Sequence, residues 1–108
     1  MNWLSLNSEQ QLQEALTSEP VFAVFKHSTR CSISSMAKSR VERDWNFEFP
    51  IYYLDLIQHR NISNFIADES GIEHQSPQLI VFQNGKPVYN ASHSGINIDE
   101  LKSELTNS

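Results

Sequence analysis

Apolar and polar positions along this chain alternate between two rhythms. "VFAVFK", Val21 to Lys26, "IYYLDLI", Ile51 to Ile57, and "LIVFQ", Leu79 to Gln83, are continuous apolar runs. They are rich in β-branched and aromatic residues, as strands buried on both faces are. "WLSL", Trp3 to Leu6, predicts a further short strand. Between these runs apolar residues recur at helical spacing. Leu12, Ala15 and Leu16 follow a capping box of Ser8 and Gln11. Ile33, Ala37 and Val41 predict a helix to about Trp45, and Phe65 and Ile66 a shorter one capped by Asn61 and ended by Gly71. Asn97 with Glu100 caps a last helix carrying Ile98, Leu101 and Leu105.

One connection stands apart. "NGK" between "LIVFQ" and "VYNAS" puts Asn-Gly between two apolar runs, which is the signature of a tight hairpin. The element order is therefore β-α-β-α-β-α-β-β-α. Such alternation predicts an α/β protein, a mixed sheet with parallel strands, helices on both faces and an antiparallel edge from the closing hairpin. That order is similar to the thioredoxin fold, a three-layer arrangement, and covers essentially the whole chain as one domain, residues 1–108.

Composition narrows the setting. Hydrophobic residues make up 39% of the chain, with six Phe and only three Gly, as expected of a folded domain rather than a disordered one. A net charge of −5 argues against nucleic acid or an anionic membrane as partner. No apolar run has the length of a membrane span, and "MNWLSLNSEQ" has neither the basic nor the apolar region of a secretory signal. The one cysteine cannot form an internal disulfide, so a reducing cytoplasm is the expected compartment.

That cysteine, Cys31, lies in "HSTRCSIS" between a buried strand and the long helix. A free thiol with pKa ~8.5 is only slightly ionised at neutral pH, and a helix N-terminus with nearby cations can lower that value to ~3.5–7.5. The dipole and free N–H groups of a helix starting near Ser32 supply one source of positive potential. Arg30, Lys26 and His27 supply another, and the hydroxyls of Ser32 and Ser34 can donate to a thiolate. Cys31 is thus the expected nucleophile, with Arg30, Ser32, Ser34 and His27 stabilising its thiolate. Pro77 precedes the fourth main strand, where a residue without an N–H belongs. In thioredoxin-like folds the corresponding proline is cis and faces the cysteine motif, so the resemblance assigns Ser76–Pro77 to substrate binding.

"FKHSTRCSIS", "MAKSRVERD" and "SPQLIVFQNGKPVYNASHSGI" together resemble the monothiol bacilliredoxins, thioredoxin-fold proteins of bacteria that use bacillithiol in place of glutathione. Members commonly carry Thr-Cys-Pro-Ile where this chain has Arg30-Cys31-Ser32-Ile33, so a proline is exchanged and a charge added beside the sulfur. The resemblance implies redox homeostasis chemistry, with bacillithiol as co-substrate and S-bacillithiolated proteins as clients. Thioredoxins use Cys-x-x-Cys, in which the second thiol resolves the mixed disulfide. Here that position is Ser34, so chemistry through one sulfur is expected. The carboxylates of bacillithiol call for an anion site, for which the helix end at Asn97 and the neighbouring His93 are candidates. No bound cofactor or metal is expected, since the four histidines lack paired metal spacing. Two other readings are a non-catalytic thioredoxin-fold module, such as a stress-induced binding protein, and an iron–sulfur carrier. The second is weakened because "CSIS" lacks the Gly and Phe of Cys-Gly-Phe-Ser.

Overall fold

The computed structural model describes residues 2–28 and 32–106. Five strands, β1 (Trp3–Ser5), β2 (Val21–His27), β3 (Ile51–Asp55), β4 (Gln78–Gln83) and β5 (Lys86–Ser92), form one sheet in the order β1-β3-β2-β4-β5. β1, β3 and β2 run parallel; β4 is antiparallel to β2, and β5 to β4. Helices α1 (Glu9–Ser18), α2 (Ser32–Asp44), α3 (Arg60–Ser70) and α4 (Ile98–Thr106) complete the expected order, with a 3-10 turn at His93–Gly95.

Alternation along β2 sorts the core into two halves. Phe22 and Val24 pack with Leu12 of α1 and with Ile62 and Ile66 of α3. Ala23 and Phe25 pack with Ala37 and Val41 of α2 and with Ile98 and Leu101 of α4. Each face of the sheet thus carries two helices.

The caps act largely as the pattern predicts. Gln11 N–H donates to Ser8 Oγ at 3.1 Å, and Asn7 N–H to Gln11 Oε1 at 2.9 Å. Glu100 N–H donates to Asn97 Oδ1 at 3.0 Å, and Gly71 closes α3 at φ 72°. In the hairpin, Asn84 and Gly85 take φ of 54° and 78°, the left-handed pair that matches strand twist.

Two details differ from the expectations. α3 begins at Arg60, before Asn61, because the His59 carbonyl accepts the first helical bonds, from Ile62 N–H and Ser63 N–H. On α2, Ile33 is not part of the buried stripe but 55% exposed; Ser34, Ala37 and Val41 make that stripe instead. A helix buries positions i, i+3 and i+7 along one line, and a serine holds the first of them.

Candidate redox site

The sheet register gathers the predicted residues at one end. The β2 carboxyl end, His27, lies opposite Asp55 at the end of β3, and Lys26 opposite Gln78 at the start of β4. Gln78 pairs in turn with Ser92, the last residue of β5. His27–Ser28, the first turn of α2, Ser76–Pro77 and His93 therefore converge on the same edge of the molecule. Arg30 and Cys31 lie outside the described residues, and the site is defined by what surrounds them in sequence.

The first turn of α2 is anchored to the end of β2 by one hydroxyl. Ser34 Oγ lies 2.6 Å from His27 Nδ1 and accepts from the Ser28 N–H at 3.1 Å. Ser34 is fully buried and His27 is 4% exposed. His27 stacks on Phe25 and tilts against Tyr53. Burial foremost, then the Lys38 ammonium, pushes its pKa below the usual histidine value, while Asp55 and the Ser34 bond pull the other way. Ser32 opens α2 and is exposed. On the outer side of the same turns, Ile33 and Met36 (63% exposed) present apolar surface beside the site.

Lys26, expected among the cations beside the sulfur, points through the other face of the sheet. Its side chain is fully buried, with Nζ 3.4 Å from His74 Nδ1, and Ser63 Oγ of α3 is 2.7 Å from the same nitrogen. Burial and then the Arg60 charge lower the Lys26 pKa to about 8. Burial, Lys26 and Arg60 likewise hold the His74 pKa below its ordinary value. This cluster joins residues 48 positions apart in sequence. Its one sequence signal was Ser63, a polar residue within the apolar stripe of Ile62 and Ile66.

The Ser76–Pro77 peptide is cis. Pro77 is buried, and its carbonyl accepts from His93 N–H at 3.0 Å, tying the proline loop to the end of β5. Gln78 closes the loop from inside, donating to the Glu73 carbonyl and accepting from Gln75 N–H. Ser76 Oγ is buried with no hydrogen-bond partner among the described residues. His93 is exposed at φ 54°, and its carbonyl accepts from Arg40 at 3.1 Å. At the helix end the Asn97 side chain caps the Glu100 N–H, and the cleft beside it is lined by Arg40 and Arg43 as well as Asp44 and Asp99. Among the described residues no three His, Cys, Asp or Glu side chains group as metal ligands, and no helix is long and apolar enough to cross a membrane.

A helix is thus set against the end of a buried strand, at the edge of the sheet that also carries the cis Ser76–Pro77 peptide. The family described as monothiol bacilliredoxin BrxC matches residues 4–101. The chain belongs to the monothiol bacilliredoxin family. Its fold is thioredoxin-like. A protein described as an oxidoreductase with a thioredoxin fold is 32% identical, with a TM-score of 0.83 over 95% of this chain and 93% of that one. More distant structures share the fold: a thioredoxin variant from Halobacterium salinarum NRC-1 is 15% identical, with a TM-score of 0.76 over 98% of this chain and 89% of that one. Thioredoxin from Malassezia sympodialis is 18% identical, with a TM-score of 0.71 over 98% and 90%. Family and fold together support a redox function for this bacilliredoxin-family chain, that of an oxidoreductase.

Proposed function

We propose that the protein removes bacillithiol from mixed disulfides on client proteins, using Cys31 as its only nucleophile. The observation that carries this reading is Ser34. In the position of a resolving thiol the chain has a buried hydroxyl, held by His27 and Ser28, and the sequence contains no other cysteine. A mixed disulfide on Cys31 therefore awaits an external thiol.

Two exchanges follow. The Cys31 thiolate attacks the bacillithiol sulfur of the modified client; the new S–S bond forms as the client sulfur leaves as a thiolate and takes up a proton. Free bacillithiol then attacks that adduct, regenerating Cys31 and releasing bacillithiol disulfide. Rates depend on the thiolate fraction and on the leaving thiol's pKa. Ser32 N–H and the first turn of α2 offer donors to the thiolate. The backbone around Ser76–Pro77 offers an extended client a pairing edge. Exposed Ile33 and Met36 supply apolar contact for a protein client.

The test is release of a free client thiol from an S-bacillithiolated protein in the presence of bacillithiol. Catalysed release that Cys31→Ser abolishes supports the reading. A rate equal to bacillithiol alone overturns it.

A further inference from the structure

Lys26 of β2 and Gln78 of β4 stand directly opposite each other in the sheet, and both side chains reach the stretch Glu73 to Gln75. Gln78 Nε2 donates to the Glu73 carbonyl at 3.2 Å, and its Oε1 accepts from Gln75 N–H at 3.3 Å. The backbone is thus held on either side of His74. The His74 ring adds a link to α3: Ser63 Oγ lies 2.7 Å from Nδ1, and Lys26 Nζ 3.4 Å from the same atom. Lys26, Ser63 and Gln78 are all buried, so water does not readily replace a lost partner. An ammonium offers only donors, and a bare imidazole nitrogen has one lone pair. With Lys26 charged beside it, Nδ1 is the bare nitrogen, Ser63 donates to it at the shorter distance, and the ring proton sits on Nε2.

We propose that His74 is a positioning residue for client binding: its neutral imidazole pins the loop that presents Ser76–Pro77 to the buried hydroxyl of Ser63 on α3. This deepens the reading above, since it rests on that loop being where a client pairs. The nitrogen that would take up a proton is the one that holds the loop. A proton on Nδ1 turns Ser63 from donor to acceptor and faces the Lys26 ammonium with an N–H instead of a lone pair. Burial opposes that proton first, and Lys26 of β2 and Arg60 of α3, the two charges that bear on the ring, oppose it further. The pin therefore holds at neutral pH and is released on acidification. Its position matters because His74 lies two residues before Ser76 in a loop whose far end is tied to β5 by the Pro77 carbonyl.

Two measurements test this. In the first, which needs neither bacillithiol nor a client, NMR follows the His74 ring and the backbone amides of Gln75, Ser76 and Gln78 through an acid titration of wild type and Lys26→Met. The loop amides are expected to shift with the midpoint of the ring, below the ordinary histidine value, and both midpoints to move upward together once the Lys26 charge is gone. Loop amides that ignore the ring, or a midpoint that Lys26→Met leaves in place, overturn the proposal. In the second, His74→Ala is assayed at pH 7. KM for an S-bacillithiolated protein is expected to rise about tenfold, the worth of one hydrogen bond, with kcat and the rate of Cys31 alkylation by iodoacetamide within about twofold of wild type. An unchanged KM, or alkylation and kcat falling together with it, overturns the positioning role. The titration uses folded wild type, so it decides even where His74→Ala does not fold. A loop that follows His74 in a protein that releases no bacillithiol overturns the functional reading and leaves the pin standing.

Discussion

Replacing Lys26 with Met is expected to stabilise the protein at neutral pH. The Lys26 side chain is fully buried, with Nζ 3.4 Å from His74 Nδ1 and no carboxylate against it among the described residues. Its pKa in the fold is about 8, against 10.5 for the free side chain. That gap corresponds to about 3 kcal/mol disfavouring the charged form in the folded state. Because the folded value is depressed, the unfolded chain binds more protons between pH 8 and 10.5, and stability rises with pH across that window. Below pH 8 the whole penalty applies. Met fills a similar volume without a charge, and Ser63 still bonds His74, so removing the buried cation adds roughly 1–3 kcal/mol at pH 7. At pH 10.5 the gain should largely vanish. Urea unfolding of both proteins at pH 7 and pH 10.5 measures this, and taking the difference cancels the tyrosines that titrate in the same range. A variant less stable than wild type at pH 7, or a gain independent of pH, refutes the reasoning.

Other perturbations follow from the same geometry. Ser34→Ala leaves His27 Nδ1 and the Ser28 N–H without their partner and should cost about 2 kcal/mol, read as a lower urea midpoint at unchanged slope. Gly85→Ala places a Cβ at φ 78° and 3.1 Å from the Leu16 carbonyl, so a loss of about 1–2 kcal/mol is expected in thermal unfolding. Met36→Glu changes an exposed side chain beside the site; it should raise KM for a bacillithiolated protein by several-fold, about the effect of one lost apolar contact, while leaving a small mixed-disulfide substrate unaffected.

What could be read from sequence was whatever depended on local chain chemistry. The two-faced burial of β2, the left-handed pair Asn84–Gly85 and the caps at Ser8 and Asn97 are all near-neighbour effects, and each has its mark in residue type and spacing. Ile33 was misplaced because Ile33, Ala37, Val41 and Ser34, Ala37, Val41 fit the same helical period, and only packing reveals that the serine is inside. The start of α3 escaped for a similar reason: a backbone carbonyl, at His59, does the work expected of the Asn61 side chain. The site was legible in its members and not in its wiring. His27 and Ser34 were both expected beside the sulfur, but their bond needs the end of a strand set against the first turn of a helix. Lys26 and His74 meet only because the loop before β4 folds back beneath α3, a long-range consequence of strand order.

The proposal that one sulfur carries the chemistry can be tested on the intact protein. Reduced protein is mixed with an S-bacillithiolated client peptide, quenched in acid and weighed intact. The expected result is the mass of one bacillithiol on Cys31 within the first turnover, removed when free bacillithiol is added and absent in Cys31→Ser. Folded, reduced protein that gains no mass, or that gains it equally in Cys31→Ser, would contradict it.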